Sequence, residues 1–129
     1  MKTLLTATAA VEAGAGLALL GVPSITASLL FAAPLDSLVA VGLARIGGAA
    51  ILTLAIICWL ARRDPDNPVA RGLIVAMLLY NFAVAAVLAF AGFSQGLHGT
   101  LLWPAVAFHV AMGGWCVAAR YRNGNGLLR

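Results

Sequence analysis

Charge is what this sequence has least of. Of its 129 residues, 9% are charged, against roughly a quarter in soluble domains, which excludes an ordinary water-soluble globule. Acidic residues number 4: Glu12, Asp36, Asp64 and Asp66. Histidine and cysteine are equally scarce, at 2 each. Cys58 and Cys116 form no C-x-x-C pair, so a zinc signature and a disulfide framework are both excluded, and the two read as small buried apolar residues. His98 and His109 would lie about 16 Å apart along a helix, too far to share one ion. No other span offers a histidine opposite His109, so a bis-histidine haem is unsupported. No metal and no cofactor are expected. A base–nucleophile pair is missing too, so the chain is read as leaning away from an enzyme. The net charge of +4 and pI of 9.8 come without a basic stripe or motif, and no nucleic-acid partner is expected.

What the chain has in quantity is apolar sequence. Hydrophobic residues make up 63% and the mean hydropathy is +1.01. About 20 residues at ~1.5 Å each cross a ~30 Å hydrocarbon layer, and four runs reach that length: 3–21, 37–61, 68–91 and 100–120. The expected fold is all-α, a polytopic integral membrane protein. It should be a four-transmembrane-helix up-down bundle in a single domain, with a short interfacial segment between the first two spans. Met1-Lys2 followed by apolar sequence resembles a signal peptide, but Glu12 interrupts the would-be hydrophobic region, and an uncleaved first helix is expected.

Local chemistry sets the boundaries. Gly21 and Pro23 end the first helix. The 22–37 segment, bracketed by Pro23 and Pro34, is too short to span. In it Ser24 is predicted to cap a short helix through Phe31, lying in the interface or packed as an ordered loop. Asp36 or Ser37 is the N-cap of the second span. There Ala40, Ala44 and Gly48 form a small-residue row that admits a neighbouring helix. The polar turn 62–67 ends in Asn67-Pro68, an N-cap followed by proline at the first helical position. The third span is predicted to reach Ala91, followed by a loop over 92–99 with Gly92, Gly96 and Gly99. The last helix is expected to start between Thr100 and Pro104 and to end near Arg120, with a cytoplasmic tail over 121–129.

Lys2, Arg62, Arg63, Arg71, Arg120, Arg122 and Arg129 fall at the N-terminus, the second connection and the C-terminus, and the first and third connections hold no Lys or Arg. By the positive-inside rule both termini are expected in the cytoplasm, in a cell (inner) membrane. Trp59, Trp103, Trp115 and Tyr121 fall near span ends, as an interfacial aromatic belt would.

With that topology, one strongly polar side chain per span falls at nearly the same depth: Glu12, Arg45, Asn81 and His109. A charge such as Arg45 at mid-membrane costs from about 2.5 to more than 10 kcal/mol, and such groups usually face the bundle interior and pair. A Glu12–Arg45 ion pair is therefore expected, with Asn81 and His109 completing a layer. Thr8, Glu12 and Gly16 share one helix face. Tyr80, beside Asn81, points to a different face and is expected to pack or touch lipid. The bland alternative has equal standing: the four polar groups satisfy one another and fix helix order.

Four spans with a glutamate in the first resemble the small multidrug-resistance transporters. Size and span count also resemble DoxX-type membrane proteins and membrane glutathione-transferase-like enzymes. These likenesses rest on topology, and none brings a motif that carries a site residue over. The leading expectation is a membrane protein that binds or transports a small polar or amphipathic molecule or ion. Glu12 would be its proton- or cation-binding group, Arg45 the counter-charge, and Asn81 and His109 orienting donors, in a homo-oligomer if it transports. The alternative is a non-catalytic accessory or assembly subunit of a larger membrane complex.

Overall fold

The structure is a computed structural model and describes residues 1–124, with side chains as far as Tyr121. It is all-helical over those residues: α1 (Lys2–Gly21), α2 (Pro23–Phe31), α3 (Leu38–Ala61), α4 (Pro68–Ser94) and α5 (Leu102–Gly124). Four of these, all but α2, are long and apolar enough to cross a membrane, and the chain is read as a multi-pass membrane protein. Both ends of the described chain and the α3–α4 turn lie at one end of the bundle, here the terminal end. The α2 helix and the α4–α5 loop form the opposite, loop end.

Helix starts follow the local chemistry. Ser37 caps α3 by accepting from the Ala40 amide at 3.1 Å. Asn67 caps α4 by accepting from the Val69 amide at 2.8 Å, with Pro68 next in the chain. Three boundaries differ from expectation. Ser24 is not a cap: α2 starts with Pro23 at its first position after Val22, because proline's missing N–H costs nothing there. Gly92 is helical, and α4 runs on to Ser94; a Cβ at Gly92 would stand 3.0 Å from the Trp103 ring and 3.1 Å from the Leu102 side chain, so glycine here lets the start of α5 pack close against α4. The last helix, α5, with Pro104 in its first turn as expected, runs past the expected end at Arg120 to Gly124. The expected tail beyond Gly124 lies outside the described residues.

The helices pair as α1 with α3 and α4 with α5, and the two pairs meet each other more lightly. In a bilayer, helices gain little from apolar burial against one another, so close approach and fitted packing decide which faces meet. The α1–α3 pair is built on Gly16 and Gly48. A Cβ at Gly16 would stand 2.8 Å from the Leu52 nitrogen and 2.9 Å from the Gly48 oxygen, and one at Gly48 would stand 2.9 Å from the Gly16 oxygen. The two backbones touch because neither residue has a side chain. In the α4–α5 pair, Gly113 receives the ring of Phe82 in the same way. All four spans share one core at the terminal end, where Leu4, Leu5, Cys58, Met77, Met112 and Cys116 are buried together. Both cysteines there are free thiols.

The loop end is closed differently. The Leu101 amide donates to the Leu29 oxygen of α2 at 2.9 Å, and Gly99 lies so close beneath α2 that any side chain would overlap the Leu29 and Leu30 backbone. α2 is therefore a packed plug on the bundle, with Ala27 and Pro23 buried.

Replacing Gly16 or Gly48 by valine should lower stability by about 1–3 kcal/mol or more, the scale of an overpacked core position. Gly14→Ala, whose added Cβ would meet open space, should be neutral or stabilise by up to about 1 kcal/mol, the helix preference of alanine over glycine. Reversible unfolding in mixed micelles measures both.

Candidate functional site

The polar side chains of the spans converge from three helices. Thr8, Glu12 and Gly16 lie one turn apart on α1 and all three are buried. Glu12 is 3% exposed and Asn81 1%. The Tyr80 hydroxyl donates to Glu12 Oε2 at 2.9 Å, joining α4 to α1. Asn81 Nδ2 donates to the Met77 oxygen one turn back at 2.7 Å, and His109 Nδ1 lies 2.9 Å from Asn81 Oδ1, joining α5 to α4. Tyr80 and His109 meet edge to face with ring centroids 5.9 Å apart, and Phe108 flanks the imidazole at 5.5 Å. The order Glu12, Tyr80, His109, Asn81 is thus one continuous polar layer.

The hydrogen-bond directions follow from chemistry. A backbone carbonyl only accepts, so Asn81 must turn its NH2 toward Met77 and its oxygen toward His109. That oxygen also only accepts, so His109 must carry its proton on Nδ1. In the neutral ring Nε2 is then left with a free lone pair. The carboxylate of Glu12 can accept several bonds, and Tyr80 supplies its one hydrogen bond from the described side chains.

Of the four residues expected to form the layer, three do. Asn81 and His109 bond each other, and Glu12 joins them through Tyr80. Arg45 does not. It is exposed on the outer face of α3, and no hydrogen bond or ion pair joins it to any described residue, so the expected Glu12–Arg45 pair is not formed. The reason is rotational. The Gly16–Gly48 contact fixes which face of α3 meets α1. The buried side of α3 runs from Gly48 through Ala55 to Cys58, and Arg45 lies about 60° from Gly48 on the side away from Cys58, beyond the edge of the contact and exposed. Tyr80 is the converse correction. It is half-buried, and its phenol is long enough to carry the hydroxyl to Glu12, although its Cα lies about 100° from that of Asn81. The signal available in the sequence was a buried carboxyl lacking a donor, with a tyrosine at matching depth.

Four other hydroxyls are satisfied within their own helices. Thr6, Thr26, Ser28 and Thr53 each donate to the carbonyl four residues back, which a lipid-facing hydroxyl requires. At the terminal end the Arg62 guanidinium stacks on Trp59, 3.3 Å from the ring centroid, and Arg71 donates twice to the Asp66 oxygen. No group of three or more metal-ligating side chains occurs among the described residues. Comparison with protein-family models, curated proteins and solved structures finds no match to this chain.

The layer makes two couplings measurable. In a double-mutant cycle, Glu12→Ala and Tyr80→Phe should couple by about 0.6–1.7 kcal/mol, the range of interhelical hydrogen bonds in membranes. Glu12→Ala and Arg45→Leu should be additive within about 0.5 kcal/mol. A large coupling in the second cycle would contradict the outward placement of Arg45.

Proposed function

We propose that this is a small multi-pass membrane protein whose Glu12–Tyr80–His109–Asn81 layer binds a proton or a small cationic, hydrogen-bond-donating molecule. The observation that carries the reading is the chemistry left unused in the layer. Both groups with spare capacity, the Glu12 carboxylate and His109 Nε2, are acceptors. With Arg45 turned away, no cation from the described residues neutralises the carboxylate. An ionisable group inside a span is a functional candidate by default, and here its natural complement is a positive charge. Through the Tyr80–Glu12 bond the layer also crosses the seam between the two helix pairs, where they meet most lightly. The terminal end is assigned to the cytoplasm of a cell membrane on the distribution of Lys and Arg.

The test is binding of a lipophilic aromatic ammonium that can donate hydrogen bonds, phenethylammonium, to the purified protein in mild detergent, followed by calorimetry. Saturable binding should weaken by about tenfold or more in Glu12→Gln, a loss of at least ~1.4 kcal/mol. It should weaken less in Tyr80→Phe and be unchanged in Arg45→Leu. Binding that is equally tight in wild type and in a folded Glu12→Gln protein would overturn the reading.

One observation favours a second reading, that of an accessory or self-associating subunit. α5 turns Ala107, Ala111, Gly114 and Ala118 outward on a single helix face, and a Cβ at Gly114 would meet open space. Such a stripe lets another helix approach closely. In that case the polar layer holds the bundle together and the outward stripe carries the assembly.

A further inference from the structure

Arg45 is the one arginine of the spans placed well below a helix end, and the fold leaves it outside the bundle. It lies seven positions past Leu38, about 10 Å along α3 from the loop end. In a bilayer that is inside the hydrocarbon, where a guanidinium needs an anion or water. Its own chain offers neither a hydrogen bond nor an ion pair among the described residues. We propose that Arg45 is a lipid-phosphate anchor, holding the phosphate of a phospholipid in the leaflet at the loop end.

Three features of α3 support this. Helical side chains lean toward the N-terminus of their helix, over the residues three and four positions back. For Arg45 that direction is toward the loop end, so the aliphatic stem rises through the hydrocarbon and brings the guanidinium up to the headgroups. The residue three positions back is Gly42, and a Cβ there would meet open space, so the stem and an approaching headgroup share a cleared path. Leu38, directly above on the same face, is 91% exposed and marks the apolar border the phosphate reaches over. The planar guanidinium fork matches phosphate oxygens in pairs.

A second copy of the chain fits this face less well. Glu12, the only acid within the spans, is buried on Tyr80. Asp64 and Asp66 belong to the turn at the opposite end, and Asp36 precedes the α3 cap. A copy packed symmetrically on this face would bring arginine to arginine, with only Asp36 at the loop end to set against the two charges.

Native mass spectrometry of the full chain in mild detergent tests the anchor, using added phosphatidylglycerol, diacylglycerol with the same chains, and inorganic phosphate alone. Wild type should retain one phosphatidylglycerol through collisional activation, and Arg45→Lys, which keeps the charge but not the fork, should retain it less firmly. Arg45→Leu should lose it, and neither diacylglycerol nor inorganic phosphate should replace it. Equal retention of phosphatidylglycerol by wild type and Arg45→Leu would overturn the proposal, and so would tight retention of inorganic phosphate. A dimer or second protein that disappears in Arg45→Leu would also overturn it, in favour of a protein contact. Should Arg45→Leu fail to accumulate, the wild-type comparison decides: retention of phosphatidylglycerol over diacylglycerol supports the anchor, and equal retention refutes it.

Discussion

A hydrocarbon layer offers no water to a polar group, so each one in a span must find a partner in the protein or reach the interface. The Tyr80–Glu12 hydrogen bond is where this chain meets that demand at greatest cost. It brings the one span-embedded carboxyl under a donor from another helix, and in doing so ties the α1–α3 pair to the α4–α5 pair. The backbones of the two pairs touch lightly, so the register between them leans on this bond and on the shared apolar core at the terminal end. The same demand explains why the hydroxyls of Thr6, Thr26, Ser28 and Thr53 fold back on their own helices.

Close packing supplies the other half of the frame. Gly16 and Gly48 let α1 and α3 come into backbone contact, a geometry available only where neither helix carries a Cβ. This contact has consequences far from itself. It fixes the rotation of both helices, directs Glu12 inward toward Tyr80 and leaves Arg45 on the outside. Two ionisable residues at similar depth thus take opposite roles because of two glycines that have no chemistry of their own. The short α2 helix and Gly99 close the loop end by a third means, with a backbone hydrogen bond from the α4–α5 loop to the last turn of α2.

These placements bear on what the molecule can bind. A Glu12–Arg45 pair would have been self-neutralising, suited to structure or to a zwitterion. With the arginine turned away, the interior layer keeps its spare hydrogen-bonding capacity at Glu12 and His109, steadied by Tyr80 and Asn81, and the complement proposed for it is positive. On the exterior, Arg45 is proposed to take the opposite complement, an anion at the membrane surface. The polar layer inside the bundle and Arg45 outside it are therefore set apart by the rotation at which α1 and α3 pack.

Much of this was legible in the chain itself, for physical reasons that act locally. Apolar length determines the four spans. Ser37, Asn67 and Pro68 determine helix starts, because a cap or a missing N–H works within one turn, and the arginines cluster at span ends whatever the packing. Depth was legible too, since it follows from counting residues at constant rise, and it placed Glu12, Asn81 and His109 in one layer. Rotation was not. A segment apolar all round has no preferred face, so nothing local says whether Arg45 looks inward or outward, or whether Tyr80 reaches lipid or Glu12. Only the packed bundle decided that, through the Gly16–Gly48 contact, because a helix turns to the angle at which its closest neighbour fits and its buried polar groups find partners.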